Sequence, residues 1–406
     1  ASCTILPKRK RRRGVTLSDP DAIDLGHEAR EVRRTSRRSP LNDQIRANAG
    51  LLFAGICTFV MMGAGQALVG PALPVISRTF ELGQGEAGLL VSLLWVGCFL
   101  GVALMYLRGS VIGPRPALLA MALGASGMAW QPGWWLTLAA AAIFGMGYGM
   151  ATAVFNPRVM RAFGTRGPSM LSLLNATFGV GAIAAPLVFV WLGSDPVRAF
   201  GAVAAALLAI WLVADPSGHQ AGVPLGPVKV FKPHWGILAF GMLGIGLEAS
   251  LAGLGPSALI RAGVEEKRAS ELLSAFFVVF LLARVALIFI AHRIQPFLLL
   301  TLAIGSAAVF ALGAVFLSPA IFFVAMGAST GVIFPGYYVT ASGKMGEDGR
   351  VPPTIVAAGL VGAIAAPLVL APLIGSFGDR GFFWVVSGFL LTMTLAAVLS
   401  LRRMRV

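Results

Sequence analysis

VGAIAAPLV occupies residues 180–188, and the identical nonapeptide returns at 361–369. Ala and Gly are abundant in the chain. Even so, at a match chance of about one in ten per position, accident would produce such a repeat in roughly one of ten thousand chains this long, so it marks an internal duplication. The two copies begin 181 positions apart in a chain of 406 residues. What was duplicated is read from the surrounding layout.

Hydrophobic residues make up 57% of the chain and charged residues 12%, where a soluble domain carries about 25% charged residues. Apolar runs between polar or Pro/Gly punctuation predict twelve helical spans, each about the 20 residues that cross a bilayer. Six fall near 50–76, 86–107, 115–130, 133–155, 168–193 and 196–214. Six more fall near 235–260, 270–291, 295–317, 319–340, 351–377 and 381–401. The nonamer lies in the fifth and eleventh spans, equivalent places in two halves. The expected fold is an all-α membrane protein of twelve transmembrane helices in two six-helix pseudo-repeats. Residues 1–49 form a basic, disordered cytoplasmic tail, 50–214 the first bundle, 215–234 a cytoplasmic linker, 235–402 the second bundle and 403–406 a cytoplasmic end. Small residues at four-residue spacing in the nonamer predict close packing between the halves.

The formal charge of +15 would suggest nucleic acid in a soluble protein. Its distribution points elsewhere. KRKRRR at 8–13 and further arginines up to Arg46 precede the first span, as in a tail that fixes orientation and touches anionic lipid. With the N-terminus inside, 25 Lys and Arg fall on the cytoplasmic side and six on the other; without the tail the split is 13 to 6. Both termini are therefore expected in the cytoplasm, in a plasma or bacterial inner membrane. No cleavable signal peptide is expected ahead of the first span.

The three cysteines and four histidines are scattered and carry no disulfide or metal spacing. The nearest approach to a phosphate loop, SGKMG (342–346), lacks the leading Gly and the hydroxyl. Neither enzyme activity nor a cofactor nor a metal is expected, and nucleic acid is not an expected partner. The expected partners are a small-molecule substrate, a proton and the bilayer, with the chain acting as a monomer.

GQALVGPALPVI (65–76), LLNATFGVGAIAAPL (173–187) and GLEASLAGLGPSALI (246–260) resemble the fucose–proton symporter family of the major facilitator superfamily. The resemblance implies alternating access, a sugar or similar small polar solute, and coupling to protons. Three places depart from the family pattern. The loop LRGSVIGPRPALL (107–119) keeps Arg108, Gly113 and Arg115 but has no Asp. Thr152 stands where the family has an acidic residue four positions before Asn156. Asn175 stands where the family often has His.

Glu248 is the lone carboxyl near the middle of the seventh span. A carboxylate at that depth costs roughly 3 kcal/mol or more, so it normally faces a cavity or a partner. It either carries the coupling proton and accepts from substrate hydroxyls, or locks its helix through a hydrogen bond. Arg284 is the only basic residue well inside a span; it snorkels to the interface, pairs with Glu248 or binds an anionic solute. With them, Gln66, Tyr148, Thr152, Asn156, Ser329, Tyr337 and Tyr338 are the candidate substrate-binding residues on the first, fourth and tenth spans, and the resemblance adds Asn175. Trp95 reads as packing. A cytoplasmic gate is expected from Arg108, Arg115, Arg158 and Arg161 against Glu347 and Asp348. A secondary transporter is thus expected. The alternatives are an efflux carrier for drugs or metabolites with the same fold, and a transporter-like scaffold or sensor that no longer transports.

Overall fold

The computed structural model describes residues 45–108, 112–214, 232–346, 348 and 350–404. Most of the basic tail, most of the linker and Glu347 lie outside the described residues. Twelve long helices follow one another: α1 (Ala49–Thr79), α2 (Gln84–Arg108), α3 (Pro114–Trp130), α4 (Trp134–Ala162), α5 (Gly167–Trp191), α6 (Pro196–Val213), α7 (Trp235–Arg261), α8 (Glu266–Ile290), α9 (Pro296–Phe316), α10 (Pro319–Met345), α11 (Val351–Leu370) and α12 (Gly381–Ser400). There is no strand among the described residues.

Eleven of these helices are long and apolar enough to cross a membrane. The twelfth, α3, has 17 residues, the short end of the range that still spans about 30 Å of hydrocarbon. Helix is what such segments must form, because lipid offers no partner for a free N–H or C=O. The two largest departures from the predicted spans are at the ends of α4 and α11. Helix α4 runs on through Pro157 to Ala162, and α11 stops at Leu370, where a 3₁₀ turn, Ala371–Leu373, takes over. Trp130, Trp135, Trp191 and Trp235 stand exposed near helix ends, where ring and N–H suit the lipid–water boundary.

Glycine sets how closely the helices approach. Helices α2 and α4 pack reciprocally: Gly97 and Gly101 lie against the backbone of Ala142 and Met146, while Gly145 and Gly149 lie against that of Leu94 and Cys98. In the second half, Gly327 and Gly331 of α10 lie against Phe276 and Phe280 of α8. Leu94 and Phe276, Cys98 and Phe280, Gly145 and Gly327, and Gly149 and Gly331 are each 182 positions apart. One contact scheme is thus written twice.

The nonamer belongs to the same scheme. Gly181 sits on the carbonyl of Val60 in α1, and Gly362 on that of Met242 in α7. Its tightest packing is therefore inside each half, not between the halves. The reason is geometric: a glycine at the second position lets α5 and α11 lie against the backbone of the helix that opens their own half.

The halves meet towards the face that carries Arg78 and Glu266. There Gly70 of α1 abuts the Ala252 carbonyl of α7, Gly88 of α2 abuts Pro367 and Ala371, and Gly253 abuts Val91. Ser274 of α8 donates to the Ile183 carbonyl of α5 at 2.7 Å. An ion pair of 3.0 Å between Arg78 and Glu266 joins the C-terminal end of α1 to the N-terminal end of α8.

Candidate functional site: a polar cluster between the halves

The contact scheme fixes the depth of the polar residues. Val60 and Met242 occupy equivalent places beneath the nonamer glycines, so the residues six further along are equivalent too. These are Gln66 and Glu248. A duplicated position thus carries an amide in one half and its acid homologue in the other.

Around Gln66 the first half supplies an aromatic wall. The Tyr148 hydroxyl donates to Gln66 Oε1 at 3.3 Å. The Tyr148 ring meets Trp95 edge-on at 5.9 Å and Phe178 at 6.4 Å. Thr152, one turn along α4, turns its hydroxyl back to the Tyr148 carbonyl. Trp95 and Gln66, with Ala249, Ala252 and Gly253 of α7, line a cavity of about 10 Å³, which is room for a single water.

The second half supplies the charge. Glu248 is partly buried, and no ion pair within 4 Å includes it among the described residues. Arg284 does not turn to the membrane surface. Its Nε donates to the Gly331 carbonyl of α10 at 3.2 Å, and its guanidinium lies 4.3 Å from the centre of the Phe280 ring. Glu248, Arg284 and Tyr148 stand within electrostatic reach of one another. Helices α1, α4, α7 and α8 therefore converge on four groups: amide, phenol, carboxyl and guanidinium.

Other candidate residues stand apart from this cluster. Tyr337 is fully buried, and its hydroxyl donates to the Ile355 carbonyl at 2.9 Å, tying α10 to α11. Ser329 shares a hydrogen bond of 2.8 Å with Ser306 of α9. Tyr338 packs on Phe334 at 5.8 Å. Asn175 is exposed and donates to the Leu171 carbonyl of its own helix. The Oδ1 of Asn156 is buried without a hydrogen-bond partner, so this candidate has an unmet acceptor.

Among the expected gate residues, Arg115 is engaged elsewhere. Its Nε donates to the Ala214 carbonyl at 2.9 Å, and its guanidinium lies 5.5 Å from the Trp211 ring. Arg161 donates to Pro157 of its own helix, Arg108 is exposed, and Arg158 is partly buried. Asp348 holds Arg350 through Oδ1 at 2.9 Å, which raises the pKa of that guanidinium through the shared hydrogen bond.

Sequence reasoning gave Phe178 no part in the site and missed the serine pair of α2 and α8. Ser92 and Ser274 are 182 positions apart and both buried, and that spacing was available to find them. Ser274 bonds across to α5, whereas Ser92 Oγ has no partner. Ser92 lies one turn from Gly88, which faces α11.

The profile of the Major Facilitator Superfamily matches residues 55–351. No protein of curated function matches the chain in sequence. Among solved structures, the nucleoside transporter NupG superposes with a TM-score of 0.70 at 14% identity, over 87% of this chain and 98% of its own. The xylose transporter XylE from E. coli, in an inward-open conformation, gives 0.69 at 15% identity over 86% and 94%. The transporter FucP, in an outward conformation, gives 0.56 at 17% identity over 86% and 98%. Identities this low establish a shared fold.

Proposed function

This chain belongs to the major facilitator superfamily, and we propose that it is a proton-coupled secondary transporter that carries a small polar solute by alternating access. The solute is a sugar, a nucleoside or a small organic acid. The chain is a multi-pass membrane protein; the basic face lies in the cytoplasm with both termini, in a plasma or bacterial inner membrane.

The observation that carries this reading is the meeting of Gln66, Tyr148, Glu248 and Arg284 between the halves, with Glu248 and Arg284 close but not paired. Two opposite charges at bilayer depth that leave each other unpaired are costly to maintain. Polar groups of a solute repay that cost when they bridge the carboxyl and the guanidinium. Gln66 and Tyr148 supply a donor and acceptors from the facing wall, and Trp95 gives an apolar surface for a ring. Glu248 takes the coupling proton: neutral, it lets the loaded site change the side to which it opens; ionised, it permits that change only after the solute has left. The conformation is the inward-facing one, since the closing contacts gather at the face of Arg78 and Glu266, opposite the more basic face.

Transport into proteoliposomes tests this reading. Labelled sugars, nucleosides and organic acids are offered with and without an imposed pH gradient, to the native chain and to Glu248→Gln. The expected result is gradient-driven accumulation that disappears in the variant while exchange survives. Flux that ignores both the gradient and the substitution refutes proton coupling through Glu248, and no flux for any solute refutes the transporter reading.

A further inference from the structure

A cavity of about 240 Å³ opens on the face of Arg78 and Glu266, between the outer ends of α1, α2 and α7. It lies at the far end of α7 from the basic face and shares no lining residue with the Gln66 cavity. Leu73, Pro74 and Leu82 form one wall, and Leu254, Ile260 and Ile374 form the other. Both halves of the molecule therefore build it, and it exists in this form only while they are closed together at this face.

Three polar side chains interrupt the apolar lining: Ser77, Ser257 and Arg261. Arg261 is the last residue of α7, where a cation suits the negative end of the helix. That accounts for the charge but not for its surroundings. The other arginines near this face have partners: Arg78 is held by Glu266, Arg198 by Asp195 and Arg268 by Glu271. Arg261 has no carboxylate within 4 Å among the described residues, and its Nε is buried without a hydrogen-bond partner. A buried polar nitrogen left unmet beside an open cavity calls for a ligand or an ion.

We propose that this outer cavity binds a small amphipathic carboxylate, with the carboxylate on Arg261 and the hydrocarbon between the two apolar walls. A guanidinium presents its N–H groups in a fork that matches a carboxylate. The volume falls below the about 300–1,000 Å³ of pockets for drug-sized ligands, which limits the occupant to a short chain or one ring. The lining rejects a free inorganic anion, since desolvating it against leucine, proline and isoleucine has no return. Because the site is split between the halves, a bound ligand favours the closed arrangement of this face by its own binding free energy. The site is thus a regulatory one, reached from the side opposite the open end of the transport pathway.

The test is calorimetric titration of the purified full chain in detergent with hexanoate, acetate and hexylammonium. Hexanoate is expected to bind saturably, acetate at least about tenfold more weakly for want of apolar burial, and hexylammonium not at all. Arg261→Gln is expected to weaken hexanoate at least about tenfold. Ser257→Phe, which fills the cavity and keeps the charge, is expected to abolish binding. Melting temperatures without ligand establish that each variant is folded. No saturable binding by the native chain, equal binding by folded Arg261→Gln, or equal uptake of hexylammonium each overturns the proposal. A chain that binds hexanoate but transports nothing keeps this site and loses the transport reading, so the two fail separately.

Discussion

A single methyl group at Gly88 is expected to turn the transporter towards its other conformation. A Cβ built at this position would lie 2.7 Å from the carbonyl oxygen of Pro367 and 2.6 Å from the Cβ of Ala371. Both neighbours belong to the opposite half, and one is backbone, so neither yields by changing rotamer. Overpacking of this kind costs about 1–3 kcal/mol. On the proposed alternating access the cost falls only on the state in which the halves touch at this face, since α2 and α11 must separate there for it to open. The equilibrium should therefore move about 5- to 150-fold towards the outward-open state. Electron–electron distances between spin labels at Glu81→Cys and Glu265→Cys, in a chain without its native cysteines, read that shift directly. Both positions are exposed, one in each half, at the face of Arg78 and Glu266. Gly88→Ala should move the distance distribution to longer values, whereas Gly201→Ala, where a Cβ meets nothing within 4 Å, should leave it in place. A folded Gly88→Ala protein with the native distribution would refute the identification of this contact as a closing surface.

Further predictions follow the same contacts. Ser274→Ala removes the bond to Ile183, worth about 0.5–1.5 kcal/mol, and should shift the same label distances outward about 2- to 10-fold. Ser92→Ala removes a buried hydroxyl with no partner in this conformation and should move the same distances towards shorter values. Tyr337→Phe should lower thermal stability by about 1 kcal/mol without altering solute affinity in equilibrium binding, while Tyr148→Phe should weaken affinity with little loss of stability. Gly145→Val forces a branched side chain against the Leu94 carbonyl inside the first half. It should depress the melting temperature and the folded yield, an effect that shifting the inward–outward equilibrium cannot relieve.

The fold was legible in the sequence because the repeated nonamer sets the register and the apolar runs set the spans. The site was legible only in part. Sequence gives the depth of a residue in the membrane but not its direction around the helix, since these helices are apolar on every side and no polar stripe marks an inner face. Glu248 and Arg284 stood out because charge at that depth is rare. Gln66 and Tyr148 gained weight from the structure, which sets them together at 3.3 Å. Tyr337 and Ser329 look no different in sequence, yet one is bonded to α11 and the other to α9. Trp95 reads as packing and also borders the water-sized cavity. The direction of these side chains is decided by glycine contacts between helices far apart in the chain, and no local pattern records them.

The unequal serines have a mechanical consequence. On the α5–α8 seam a hydroxyl is clasped to the opposite half, while its counterpart near the α2–α11 seam is buried and idle. An idle buried hydroxyl carries a cost of about 1–3 kcal/mol, recovered whenever motion brings an acceptor within reach. The first seam is thus latched in this conformation, while the second has no such latch. A molecule made by doubling one unit is therefore held shut by unequal seams, and its two halves, alike in ancestry, do unequal shares of the work.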